Sequence, residues 1–171
     1  MKPMPEAIQY QTATVEDIEA IRILAERVWH QTYTHMVPQG QIEHMLTQRY
    51  ARNVLQEQLQ RGDLIKLARQ GKLLRAFTHA TVGDSSECQL DKLYVDTTCQ
   101  RQGIGEALVL AVKEWAIDRD LQTLVLRVNR NNKQALAAYR KYGFRIVGED
   151  QKPIGCGYVM DDFIMALEIG G

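Results

Sequence analysis

The chain is poor in the features that would settle its chemistry at once. It holds three cysteines, Cys88, Cys99 and Cys156, an odd number at unrelated spacings that supports neither a disulfide framework nor a zinc site. Buried or incidental thiols are the expected reading, and no metal is expected. An excess of charge is also missing. Twenty-one basic residues stand against twenty-one acidic ones, so composition points to no nucleic-acid partner and no anionic membrane surface. No apolar run approaches the roughly 20 residues of a membrane span. The start, Met1-Lys2-Pro3-Met4-Pro5-Glu6, lacks the apolar core of a signal peptide, which leads to the expectation of a cytoplasmic protein. No repeat, low-complexity tract or Pro/Gly/Ser-rich linker interrupts the 171 residues, and one domain over 1–171 is expected.

What is present centres on Gln89 to Ala111. The run Leu90, Leu93, Tyr94, Val95 gives way to a polar turn and two glycines, Gly103 and Gly105, after which apolar residues recur at helical spacing. This reads as strand, glycine loop, helix. Such a loop presents unpaired backbone N–H groups at the positive end of a helix dipole, a ready site for phosphate oxygens, so a phosphorylated cofactor is expected. Two common loops are disfavoured by what is missing. The dinucleotide fingerprint wants a third glycine where Leu108 stands, and a P-loop wants Lys then Ser or Thr where Glu106 and Ala107 follow Gly105. Cys99 draws interest because it should lie near this loop.

Ahead of the loop, Ile8 to Thr12 alternates as a short strand, and Thr14 with Asp17 resembles a capping box opening a helix. Ile18, Ile21, Leu24, Ala25 and Val28 share one helical face. That helix is expected to continue into Trp29, His30, Tyr33 and His35 until Pro38 and Gly40 break it. The aromatic and histidine concentration reads either as core packing with a polar helix end or as the wall of an acceptor pocket, since aromatic faces suit an ammonium. Ile42, Met45 and Leu46 suggest a second helix, and Tyr50, Val54, Leu55 and Leu59 a third ending near Gly62. Asp63 to Ala68 and Lys72 to Val82 read as strands joined at Gln70-Gly71, with a second turn from Gly83 to Glu87. The stretch before the glycines therefore closes an antiparallel meander.

Beyond a helix running to about Arg119, Leu121 to Val128 alternates as a strand, and its place after a helix implies a right-handed crossover with parallel pairing. Asn132 to Tyr142 is helical with Ala135, Leu136 and Tyr139 on one side, and Gly143 stops it. Phe144 to Val147 and Tyr158 to Leu167 supply the last strands. The fold class is mixed α/β: a mostly antiparallel central sheet with one parallel βαβ crossover, flanked by helices.

From Leu90 to Phe144 this ordering resembles the GNAT family of acetyl-CoA-dependent N-acetyltransferases. The family motif of Gln or Arg, two residues, Gly, one residue, then Gly or Ala is met by Gln100-Arg101-Gln102-Gly103-Ile104-Gly105, preceded by Leu93-Tyr94-Val95 as its strand. A later motif of Asn, two residues, Ala, three residues, Tyr, then Gly-Phe is met by Asn132, Ala135, Tyr139 and Gly143-Phe144. Trp29, Tyr33, Pro38, the pair Met45-Leu46 and the segment Tyr158 to Met165 look like the PaiA-like branch of polyamine acetyltransferases.

The resemblance implies a transferase with acetyl-CoA as cosubstrate and a small-molecule amine as acceptor, with a homodimer as a family-level expectation. Backbone amides from Arg101 to Glu106 would hold the coenzyme A pyrophosphate. Leu93 to Val95 would pair with the pantetheine arm while one amide polarises the thioester carbonyl, a contribution of ~3 kcal/mol per donor. Asn132 would bond the pantetheine, and Tyr139 would protonate the departing thiolate. On spacing alone Tyr139 could equally be a core tyrosine. Asp91 matches a strand carboxylate that serves as base in some relatives and should point to the acceptor side of a regular strand; it reads equally as a solvated residue. Trp29, Tyr33 and one of Asp161 and Asp162 would line the acceptor site, since adjacent strand residues face opposite ways.

Three departures stand out. Arg127 occupies a position where similar ribosomal-protein acetyltransferases carry Glu, Arg75-Ala76 a strand where relatives commonly have Gly, and Glu106 puts a negative charge beside the expected phosphates. Glu106 suits the helix dipole but should weaken coenzyme affinity slightly. No paired Cys and His constellation suggests an acetyl-enzyme, so direct transfer through a ternary complex is expected. The alternatives are a non-catalytic acyl-CoA-binding module and a protein N-terminal or lysine acetyltransferase.

Overall fold

The computed structural model describes residues 2–170. In chain order these form β1 (Ile8–Thr12), α1 (Ile18–Tyr33), α2 (Gln39–Arg49), α3 (Arg52–Gln60), β2 (Leu64–Gln70), β3 (Leu73–Val82), β4 (Glu87–Val95), α4 (Ile104–Ile117), β5 (Thr123–Asn129), α5 (Lys133–Lys141), β6 (Arg145–Gly155) and β7 (Tyr158–Glu168). The strand order is β1-β2-β3-β4-β5-β7-β6. Of the ladders, β4 with β5 is parallel, while β1 with β2, β2 with β3, β5 with β7 and β6 with β7 are antiparallel. The mixed α/β architecture expected from the sequence is the one observed.

The chain divides into two compact units, one comprising the residues up to Ala80 with Lys92–Val112, the other Thr81–Asp91 with the residues from Lys113. In the first, a short 3-10 turn (Val15–Asp17) precedes α1, and the Asp17 carboxylate accepts from the Thr14 N–H at 2.8 Å, one arm of the expected capping box. Helix α1 buries Ile18, Ile21, Leu24, Ala25, Val28 and Trp29, a stripe at helical spacing. Each fully buried Ile or Leu stabilises by roughly 2 kcal/mol. A separate cluster joins Ala68 and Ala76 to Cys99, Ile104 and Leu108, with Ile8, Leu93 and Val95 against it. Strand alternation thus turns Leu93 and Val95 to the α4 side and Tyr94 to the other.

Two boundaries in this unit depart from expectation. Helix α1 ends at Tyr33, leaving His35 in a turn, and Pro38 does not break a helix but starts one, as the N-cap residue of α2. Its missing N–H and fixed φ are harmless at a helix start, and Gly40 is then carried inside the first turn of α2. Tyr50 caps the C-terminus of α2 rather than opening α3.

In the second unit the parallel ladder has three register pairs, Glu87↔Thr123, Cys88↔Leu124 and Gln89↔Val125. Strand β5 then pairs with β7 from Thr123↔Glu168 to Asn129↔Asp162. Strand β6 continues to Gly155, well past the expected end at Val147, with register shifts at Ile146/Gly148 and Pro153/Gly155. Its polar run of Glu149, Asp150, Gln151 and Lys152, with Pro153, hides it from an alternation test, yet such residues suit an edge strand.

Candidate active site

In the first unit, Asp96 follows β4 directly and opens a 3-10 turn, Thr97–Cys99, accepting from the Thr98 N–H at 3.0 Å and the Thr98 hydroxyl at 2.9 Å. The polypeptide then passes Gln100, whose Nε2 donates to the Val95 carbonyl at 3.4 Å, and reaches Arg101 and Gly103, both at positive φ. The first backbone bond of α4 runs from the Ala107 N–H to the Gly103 carbonyl. The N–H groups of Ile104, Gly105 and Glu106 therefore have no acceptor within the helix. Arg101, Gln102, Gly103 and Glu106 are exposed, while Ile104 and Gly105 are buried. The arrangement offers an exposed helix start able to take phosphate oxygens.

Gly103 has φ +78° and open space where a Cβ would stand. A side chain there meets no atoms but strains the left-handed backbone by about 1–2 kcal/mol. If the loop holds the phosphates of a cofactor, as the sequence leads one to expect, Gly103→Ala should weaken binding of that cofactor about tenfold by calorimetry, as the loop relaxes away from its strained shape. Unchanged affinity would show that the loop tolerates a different path.

On the other side of β4, the Tyr94 ring lies 6.0 Å from Trp29 and 5.8 Å from Phe77, and Trp29 lies 4.5 Å from Tyr33. The two aromatic residues of α1 singled out in the sequence thus join Tyr94 in one aromatic group. Beside it lies a buried polar chain that the sequence did not reveal. Lys92, 2% exposed, has Nζ 3.4 Å from His79 Nδ1 and 5.3 Å from the centre of the Tyr50 ring. His79 Nε2 lies 2.7 Å from Asp63 Oδ2, and Arg61 completes the chain at 2.6 Å from the same carboxylate. Lysine in an alternating strand reads as a surface residue. No pattern in the sequence marks this one as buried.

In the second unit, Asn132 is buried and its Oδ1 accepts from the Ala135 N–H at 3.2 Å, which caps α5. Its Nδ2 donor takes no bond among the described residues. Tyr139, half-buried on α5, packs edge-on against Phe144 at 5.6 Å and Tyr142 at 6.3 Å. Asp91 is exposed on β4, and alternation turns it away from the side of Lys92. Asp161 and Asp162 divide as adjacent strand residues must. Asp162 is buried, whereas Asp161 is partly exposed and bonds Arg130 at 3.0 Å. Arg130 also stacks over Phe163 and reaches Glu149, and these two carboxylates raise its basicity further. Arg127 pairs with Asp150 at 2.9 Å.

The thiols divide in the same way. Cys99 belongs to the core cluster under the loop, Cys88 is buried with its thiol pushed up to about 12, chiefly by desolvation, and Cys156 is exposed in the β6–β7 turn. Among the described residues no group of His, Cys, Asp or Glu has the spacing of a metal site, and no helix is long and apolar enough to cross a membrane.

A mixed sheet carrying strand, two-glycine loop and helix start in this order defines an acyltransferase framework of the acetyl-CoA-using kind. The model of the Acetyltransferase (GNAT) family matches residues 28–144, and the chain belongs to that family. It is thus an acetyl-CoA-dependent N-acetyltransferase by class. Among curated proteins, a spermidine N(1)-acetyltransferase of Thermoplasma acidophilum is 22% identical over 160 residues, 91% of this chain and 96% of that protein. A mycothiol acetyltransferase of Rhodococcus erythropolis is 39% identical over 69 residues, 39% of this chain and 22% of that protein. Among solved structures, the PaiA N-acetyltransferase from Thermoplasma acidophilum in complex with coenzyme A has a TM-score of 0.84 at 23% identity, covering 95% of this chain and 99% of that one. The ribosomal-protein-S18-alanine N-acetyltransferase from Escherichia coli has a TM-score of 0.72 at 23% identity, covering 96% of each chain. Both structural likenesses are of fold.

Proposed function

We propose that this protein transfers the acetyl group of acetyl-CoA to the primary amine of a small molecule, a polyamine or a related amine. The observation that carries the reading is the pair of half-buried rings Tyr33 and Tyr94 packed on the buried Trp29, because aromatic faces hold an ammonium and Tyr94 belongs to the strand segment assigned to the pantetheine arm. The near full-length likeness to a spermidine acetyltransferase supports the same acceptor class. Arg127, paired with Asp150, stands where similar ribosomal-protein acetyltransferases carry Glu, and this departure argues against a protein acceptor.

In this reading Gln100 to Glu106 hold the pyrophosphate and the backbone of Leu93 to Val95 holds the pantetheine. Asn132 uses Oδ1 to cap its helix and Nδ2 to bond the pantetheine. The acceptor ammonium gives its proton to water: Asp91, expected on the acceptor side, stands on the face of β4 away from Tyr94, because successive strand residues point to opposite faces, and has no direct path to it. The freed amine nitrogen attacks the thioester carbonyl, the C–S bond breaks as Tyr139 gives its proton to the leaving thiolate, and the proton that the nitrogen sheds on becoming an amide passes to solvent, from which Tyr139 is reprotonated. Of the two adjacent acids Asp161 and Asp162, one faces the acceptor, as alternation along β7 requires. Free-thiol release from acetyl-CoA over a panel of polyamines, amino acids and peptide N-termini tests the reading. Fastest release with a polyamine or similar small amine is expected. Coenzyme A binding with no amine-dependent thiol would overturn the enzyme reading, and preference for peptides would overturn the acceptor class.

A further inference from the structure

Asp96 lies outside every role assigned so far, yet its carboxylate gathers three segments of the first unit. It is 3% exposed. Besides the two bonds from Thr98, it receives Arg27 of α1 at 2.5 Å and Arg75 of β3 at 3.6 Å, and the Asp96 N–H donates to the Arg75 carbonyl at 2.7 Å. Arg75 is steadied in turn by Gln70 at 3.1 Å. A second tie runs beside the first: the Thr97 hydroxyl donates to Gln31 Oε1 at 3.0 Å. Arg27 and Gln31 are four residues apart and so share a face of α1. One helix face therefore grips the turn that leads into the glycine loop at two consecutive positions.

We propose that Asp96 is a positioning residue for acetyl-CoA, fixing through Arg27 and Arg75 the direction in which the chain leaves β4 and enters the loop at Gln100. The proposal rests on the assignment of Gln100 to Glu106 to the pyrophosphate. A buried carboxylate held by two guanidiniums and two hydrogen bonds from Thr98 is worth more than a surface pair, and it is rigid because the two guanidiniums come from different elements. Burial opposes its ionisation, but the Thr98 bonds, Arg27 and Arg75 outweigh burial and hold the carboxyl below the ordinary carboxylate range. The charge that the arginines grip is therefore present at neutral pH.

The test is calorimetric binding of coenzyme A to the intact chain and to four variants. Asp96→Asn keeps an acceptor for Thr98 and removes the charge, and it is expected to weaken binding about tenfold, the scale of one lost charge-assisted bond. Arg27→Gln, altering a residue whose side chain is 46% exposed, is expected to weaken binding comparably while leaving Tm unchanged, and Arg27→Lys to restore it. Unaltered affinity in Asp96→Asn and Arg27→Gln would overturn the proposal, as would equal losses of affinity and Tm in Arg27→Gln and Arg27→Lys, which mark a merely structural role. Should Asp96→Asn fail to fold, the Arg27 pair decides. Gly103→Ala separates the two levels: coenzyme A binding that ignores this loop change as well as Asp96 overturns the loop assignment, and the proposal with it. Binding sensitive to Gly103 and indifferent to Asp96 and Arg27 overturns the proposal alone.

Discussion

Tyr139→Phe is expected to lower kcat by about 10²- to 10³-fold, some 3–4 kcal/mol of barrier, the range that one positioned acid supplies. The affinity for coenzyme A should move by less than about twofold. The expectation follows from what the ring and the hydroxyl each do. The ring packs edge-on against Phe144 and Tyr142 on the α5 side of the second unit, and phenylalanine preserves both contacts. The substitution removes the hydroxyl that the proposed mechanism uses as its acid and keeps the ring packing, so turnover should fall. Steady-state kinetics with acetyl-CoA and the best amine of the panel, read beside calorimetric binding, checks it. An unchanged kcat would return Tyr139 to the core tyrosine that its helical spacing alone allows.

The largest effect on stability is expected at Asp63. Its side chain is 5% exposed and faces His79, which in turn faces the buried ammonium of Lys92. Asp63→Ala removes the carboxylate that His79 and Arg61 share and weakens the support of the buried His79–Lys92 pair, a change of about 3 kcal/mol or more. For a chain of this length each kcal/mol shifts Tm by roughly 2–4 °C, so a fall of about 10 °C is expected by calorimetry or circular dichroism. Adding Lys92→Met should recover part of that loss, because the group that needed the anion leaves with it. A fall of no more than about 2 °C in Asp63→Ala would show that solvent already reaches the chain and that these charges are screened.

The contrast between these two positions explains what the sequence discloses. Tyr139, Asn132 and the loop from Gln100 to Gly105 stand at fixed spacings because a helix start, a glycine at positive φ and a capped helix each demand a residue type at a set place. Such local demands are written along the chain. The strands from β1 to β5 are legible as short apolar or alternating runs bounded by turn residues, although of these β4 alone shows regular alternation of burial while β2, β3 and β5 bury both faces in part. What stayed hidden depends on neighbours distant in sequence. Lys92 and His79 lie in strands where a sequence reading assigns charge to the surface, and partners distant in sequence, Asp63 and Tyr50 among them, make their burial tolerable. The far half of β6 lacks any apolar alternation because an edge strand is held by its ladder to β7, from Glu149↔Phe163 to Gly155↔Tyr158, and not by a buried face. Pro38 misled for the opposite reason: proline ends one helix and begins another, and which it does depends on whether the next turn finds something to pack on.

The double grip of α1 on the turn after β4 has a consequence for anyone who would redesign the enzyme. Arg27 and Gln31 hold that turn, and Trp29 and Tyr33, the aromatic residues assigned to the acceptor, are interleaved with them on the same helix. Under the roles proposed above, acceptor preference and cofactor capture share one helix. Libraries that recut α1 for new amines will shift acetyl-CoA affinity as a side effect unless Arg27 and Gln31 are held fixed, and variants selected only on saturating cofactor will conceal the damage.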